Sequence, residues 1–355
     1  MSWQPYDETT ARRWDAFVSG HPEGRLPHLT GFKRSVEETY RFEPFYRAYL
    51  QGGDLRAVFP GFFHRSRLYG RKIVSQPFNE YGGILFAVNA GPDERRRILD
   101  EFGRVALDAL RTKKFDHLEM RHPADIPVGN PRFRFVPLCQ RAVRTLDAPD
   151  ILWADLASKD RNIIRKAQDF GLTFTEDHGE EALRTRFYPL YLRTMKRLGT
   201  PPHPRAYFLR LSRHLPENLK LFCVTYRATP VAALVAWAVG ATVHVTDMCS
   251  DDAAFFLRPN DFAVWEFLRW AHDRGYKLFD FGPVRYRGQE IFKKKWNMEM
   301  REYRYVYLSP GPGRPKNPYS GRGGVLDLAP GLWRALVPAG VGRMVGKYLR
   351  KEIGL

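Results

Sequence analysis

Cysteine is scarce. Cys139, Cys223 and Cys249 are the only three in 355 residues, far apart and without a CxxC pair, which argues against a disulfide framework and a thiolate zinc site and suits a reducing cytoplasm. Long apolar runs are missing as well: no stretch reaches the ~18–20 residues of a spanning helix. The start, MSWQPYDETTARRWD, has no apolar h-region, so neither a signal peptide nor membrane integration is expected. GxSxG, HExxH, GxxxxGK[ST] and GxGxxG are all absent, and the ten histidines form no metal-like pair on one helix face, which sets hydrolase, kinase and metalloenzyme chemistry aside. Acidic residues are in deficit, 39 against 57 Lys and Arg, leaving a formal charge of +18. Polyanions are the expected partners: nucleic acid, a phosphorylated substrate or an acidic membrane face.

What is present is a folded, two-domain composition: 44% of the residues are hydrophobic and 14% aromatic. Periodicity predicts helices over 8–19 and 30–39, strands at 44–50, 55–63 and 72–78, and a helix over 92–112 with Ile98, Phe102, Val105 and Ala109 on one face. Strands at 115–120 and 133–145 finish this half. The second half repeats the order: helices at 158–170, 179–198 and 204–215, strands at 219–226, 231–239 and 242–248, a helix at 261–274, a strand at 276–281, a helix near 288–296 and a strand at 302–308. This recurrence predicts a duplicated α/β module, with lobes at 1–150 and 151–310 and a cleft between lobes or where neighbouring strands diverge. Residues 311–355 read as a Pro/Gly linker and a basic amphipathic tail, with eight Lys/Arg against two acids. That tail is either an interfacial helix on an anionic membrane, over 325–355, or a helix packed on the body with its basic face wet.

The densest chemical feature is FDFGPVR, ending at Arg285, followed by GQEIFKKKW, ending at Trp296. Neighbouring helical residues point about 100° apart, so Lys293, Lys294 and Lys295 cannot share one target; one of them beside a carbonyl under attack would stabilise its oxyanion. The alternative is surface charge flanked by core aromatics. A substrate amine would lose its proton to a carboxylate such as Asp247 or Asp280, or to water, Asp280 at the strand end also being suited to capping the next turn. Arg161 and Arg165, at i,i+4 on the 158–170 helix, form either a phosphate fork or an ordinary basic face. In the segment PFNEYGG, Gly82 and Gly83 allow close backbone approach, with Tyr81 or Glu80 near a ligand; a plain turn is the other reading.

Taken together, SQPFNEYGG, RNIIRKAQDFGLTF, YLRTMKRLGTPPHPRAYF and AHDRGYKLFDFG with FKKKWN resemble the FemAB-like transferases, within them the branch associated with exosortase/PEP-CTERM exopolysaccharide loci, over about residues 10–310. The resemblance implies an α/β fold of two tandem GNAT-like lobes, with mixed, mostly antiparallel sheets flanked by helices. It also implies acyl or aminoacyl transfer to an amine of a cell-envelope precursor, peptidoglycan or exopolysaccharide. By its motifs the lysine after Phe falls on Lys293, the oxyanion stabiliser. Lys33 falls among first-lobe residues that bind the precursor, and Arg161 or Arg165 on a basic position of the linking helix. No tightly bound cofactor is implied; the acyl donor is either aminoacyl-tRNA or acyl-CoA. The implied partners are a UDP- or lipid-linked sugar and tRNA, not DNA, with a cytoplasmic location extending to the inner face of the plasma membrane. Coenzyme A users of the GNAT type carry a [QR]xxGx[GA] pyrophosphate loop, which Arg285 to Glu290 matches in part, Glu290 replacing the small residue. The alternatives are an acyl-CoA-dependent N-acetyltransferase acting on an amino sugar and a non-catalytic basic protein that binds RNA or membrane.

Overall fold

The computed structural model describes residues 2–79, 81–123, 133–311, 331, 333–335 and 337–354. The chain forms two compact units, one of Met1–Cys139, Glu302–Gly323 and Tyr348–Leu355, the other of Gln140–Arg301 and Gly324–Lys347.

In the first unit, Ser2–Pro5, Arg47–Gln51, Asp54–Phe59 and Leu85–Phe86 make an antiparallel sheet. Phe62–Ser66 and Gly70–Val74 form a hairpin, and Gly70–Val74 runs parallel to His117–Pro123. The helix Pro92–Lys113 connects that parallel pair. Its buried stripe, Ile98, Leu99, Phe102, Ala106 and Leu110, packs with Trp3, Phe59, Leu118 and Met120 into one core. The single strand expected over 55–63 is two strands, because Pro60 has no N–H for a ladder and the Gly61 carbonyl instead accepts from Phe45. The strand expected over 72–78 stops at Val74, and Phe78 takes a positive φ.

The second unit is an antiparallel meander of Thr173–Asp177, Leu219–Tyr226, Thr229–Val239 and Thr242–Ser250. Thr242–Ser250 then runs parallel to Leu278–Val284, the two connected by the helix Pro259–Asp273. Phe222, Val243, Phe267, Leu268, Phe279 and Trp296 share its core. The segment expected as one helix over 179–198 has a π-helical stretch at Leu183–Phe187 before the helix Tyr188–Leu198; Pro189 sits in that helix's first turn, where its missing N–H costs nothing.

In both units the strand beside the parallel pair is not the next one in sequence. Glu299–Leu308 pairs with His117–Pro123, and Arg134–Thr145 pairs with Leu278–Val284. No helix among the described residues is long and apolar enough to cross a membrane.

Candidate active site

The parallel pair of the second unit parts. Thr242, Val243 and His244 stand opposite Leu278, Phe279 and Asp280. The registered pairing stops there, although the strands continue to Ser250 and Val284. Register slips flank the parting, between Val235 and Ala236 on one side and between Asp280 and Pro283 on the other; such bulges bend a strand and raise its twist. Gly282 lies within the second slip at φ +74°, a conformation that a Cβ makes costly, and Pro283 has no N–H to return to the ladder.

Asp280 holds this turn. Its carboxylate is wholly buried; Oδ1 accepts the Gly282 amide at 2.8 Å, and Oδ2 lies 3.7 Å from Nη1 of the buried Arg141. Lys293, buried on the helix Arg287–Lys294, donates from Nζ to the carbonyls of Phe281 at 2.5 Å and Pro283 at 2.8 Å. A Cβ on Gly282 would lie 3.5 Å from His244 Nε2 and 3.9 Å from Lys293 Nζ, so an imidazole and an ammonium converge on the strand bulge. A fixed cation in a low-dielectric site stabilises negative charge that develops on a bound carbonyl, and a neutral imidazole offers one donor and one acceptor nitrogen. His244 has no sequence signal, since only the parallel pairing brings it beside Asp280.

The FKKKW run divides as helical geometry requires. Lys293 turns inward, while Lys294 is exposed and ion-paired to Glu290 at 2.5 Å. Lys295 pairs with Asp261 and lies 4.5 Å from the Phe292 ring centre and 5.2 Å from that of Trp296. Burial pulls its pKa down to about 8, Asp160 opposing and Arg258 adding to the shift. Trp296 is core, and its carbonyl accepts from Arg144 at 2.6 Å. Arg285 is exposed, and its amide donates to Gln289 Oε1 at 3.0 Å. Asp247 is half-buried and accepts from the Thr246 hydroxyl at 2.9 Å.

Arg161 and Arg165 do not make a shared fork. The Arg161 guanidinium donates to the carbonyls of Trp153, Ala154 and Leu156, capping the end of the helix Pro149–Ala154. Arg165 bonds Asn162 Oδ1 at 3.1 Å and lies over the Trp153 ring. In the first unit Lys33 is largely buried and ion-paired to Glu37 at 2.9 Å, with Glu8 at 3.8 Å. Tyr81 is buried among Tyr303, Tyr305 and Tyr307. A Cβ on Gly82 would meet Gln76 Cγ at 2.2 Å, and the Gly83 carbonyl accepts from His28 at 3.1 Å, so the Tyr-Gly-Gly segment is closely packed. Glu80 lies outside the described residues. Burial pushes the Cys223 and Cys249 thiols up, so neither is an activated nucleophile, and no cluster of metal-ligating side chains occurs among the described residues.

Residues 155–294, which hold the parting strands and Lys293, match the family described as acetyltransferase (GNAT) domain. A crystal structure of FemX is similar at 15% identity and a TM-score of 0.69, covering 88% of this chain and 98% of that one. A tandem GNAT protein from the clavulanic acid biosynthesis pathway is similar at 12% identity and a TM-score of 0.52, covering 88% and 99%. The chain has the tandem GNAT fold. The C-terminal domain of a protein assigned as a lysylphosphatidylglycerol synthetase of Agrobacterium fabrum shares that fold at 12% identity and a TM-score of 0.56, covering 79% of this chain and 92% of its own. No curated protein is matched by sequence.

In this tandem GNAT chain the turn after the parting strands leads into a helix that carries a carboxylate in its first turn. Glu290 lies in the first turn of the helix Arg287–Lys294, and hydrogen bonding and charge from Lys294 hold its carboxyl below the usual range, so it stays ionised. That carboxylate is offset by the Lys294 ammonium, with Arg287 on the same turn.

Proposed function

We propose that this protein is a FemAB-like acyltransferase, transferring an acyl or aminoacyl group to an amine of an anionic cell-envelope precursor of peptidoglycan or exopolysaccharide, with the chemistry in its second unit. The observation that carries the reading is the buried Lys293 ammonium at the parting of two parallel strands, inside the span that matches an acetyltransferase domain. A neutral amine attacks the donor's ester or thioester carbonyl, forming the C–N bond and moving charge onto oxygen. Collapse breaks the C–O or C–S bond, and the proton lost by nitrogen ends on the departing hydroxyl or thiol. Lys293 offsets the oxyanion, an effect of ~3–4 kcal/mol for one well-placed donor. His244 carries the proton, with Asp247 the second base; Asp280 is occupied by the turn it holds and acts through position.

Aminoacyl-tRNA is the donor read first, because Glu290 stands where the pyrophosphate loop of coenzyme A users has a small residue. The acetyltransferase description of the matched family favours acyl-CoA as the second reading. The test is transfer of label from charged tRNA or acyl-CoA to an amine-bearing UDP-linked precursor by wild type and Lys293→Met. Removing the ammonium leaves the buried Phe281 carbonyl and the half-buried Pro283 carbonyl without their donor, so stability falls by about 1–3 kcal/mol, and turnover is compared where circular dichroism shows both proteins folded. A ~10²–10³-fold loss in kcat is expected. Wild-type turnover by the variant removes Lys293 from the chemistry, and no transfer from either donor overturns the reading.

A further inference from the structure

The helix Ala339–Ile353 has two unlike faces. Gly342 and Gly346 lie on one of them. The absent side chain of Gly346 admits Pro202, whose carbonyl oxygen would stand 2.5 Å from a Cβ there, and Gly342 faces Trp333 and Val337. Lys196 donates to the carbonyls of Trp333, Arg334 and Val337 just before the helix. This inner face is therefore seated.

The outer face is apolar and exposed. Val341, Met344 and Tyr348 are 46%, 73% and 69% exposed. At about 100° per residue they fall within one stripe roughly 60° wide, about opposite the glycines. Beside the stripe, Arg343 and Lys347 follow at i and i+4; Lys351, one turn on, is half-buried with its Nζ 5.7 Å from the Phe42 ring centre. Exposed large apolar side chains scattered singly are ordinary, but a stripe of them edged by cations on one helix is the arrangement that lies in a membrane interface.

We infer that this face docks on the surface of an anionic lipid bilayer, Val341, Met344 and Tyr348 entering the headgroup region while Arg343 and Lys347 meet lipid phosphates. Charge selects the occupant. A second copy of a chain carrying +18 would bring like charges together, and a polynucleotide would leave the apolar stripe without a counterpart. The inference is independent of the acyl-transfer reading.

The test is sedimentation of the full chain with vesicles of phosphatidylcholine containing roughly one-third phosphatidylglycerol, against pure phosphatidylcholine. Binding is expected only to the anionic vesicles, weakening in about 1 M salt as screening shortens the reach of each charge. Arg343→Gln with Lys347→Gln lowers partition by about 25-fold, at about fivefold per cation. Met344→Ser with Tyr348→Ser lowers it by at least tenfold while leaving the thermal midpoint in place, since both side chains are exposed. Equal sedimentation of wild type and the serine variant overturns the proposal. So does a dimer in vesicle-free gel filtration that the serine variant abolishes, or an RNA gel shift lost on removing the cations while vesicle binding is absent.

Discussion

Burial alone would neutralise Glu119, whose side chain has no exposure. The Lys72 ammonium at 2.9 Å and the Arg121 guanidinium at 3.0 Å outweigh that desolvation and pull its pKa down to about 2. His64 and His117 behave oppositely: burial, with Lys72 nearby, holds both near 4 against an ordinary 6.5. The signs combine in one direction. Between pH 6.5 and about 4 the unfolded chain takes up protons that the folded histidines refuse, and between 4.5 and about 2 it takes up the proton that folded Glu119 refuses, so acid erodes stability through both windows. Urea midpoints are therefore expected to fall from pH 7 to 4. His64→Gln, which keeps a donor for the Lys351 carbonyl that His64 now contacts at 2.6 Å, should flatten that fall. An unchanged slope in the variant would show that His64 does not titrate across folding.

Elements with a strong period were legible in the sequence. The helix expected over 92–112 is Pro92–Lys113, and the one over 158–170 is Ser158–Asp169, because an amphipathic stripe states its own face. The parting of the strands was legible only as a possibility of the fold, and its chemistry less so. His244 and Asp280 are apart in sequence and meet through a parallel register, and the Arg161 carbonyl caps depend on a preceding helix that no period announced. The pairings of Arg134–Thr145 and Glu299–Leu308 were not legible either, since each strand looks like the end of the half that precedes it. The element that shapes the site is the bulged strand Leu278–Val284, and Gly282→Ala tests it. A Cβ there has ordinary contacts of 3.5 Å or more, so the expected loss of about 1–2 kcal/mol in urea denaturation comes from φ +74° and not from crowding. In the proposed reading, kcat falls further than the unfolded fraction explains, because Phe281 and Pro283 carry the carbonyls that hold Lys293. Full activity with reduced stability would separate the bulge from catalysis.

Both units contain a parallel strand pair connected by one helix, but the two pairs end differently. In the second unit the residue two places past buried Asp280 is Gly282, with no side chain. In the first unit the residue two places past buried Glu119 is Arg121, whose guanidinium reaches Glu119, the Asn79 carbonyl at 2.6 Å and the Gly354 carbonyl at 3.2 Å. The end of the first unit's parallel pair is thus filled by a side chain with its own buried partners, which supports placing the chemistry in the second. The whole-molecule charge of +18 adds a field that acts before any contact, raising encounter rates with an anionic acceptor and falling with ionic strength. For a phosphate-bearing precursor, kcat/KM should drop by at least tenfold from about 0.05 to 0.5 M salt, with the change in KM and little in kcat, because screening alters arrival and not the buried environment of Lys293. A neutral amine acceptor lacking phosphate should show no such dependence. Equal salt dependence for the two acceptors would mean that the charge serves something other than substrate capture, and a salt effect confined to kcat would place the screened interaction inside the reaction itself.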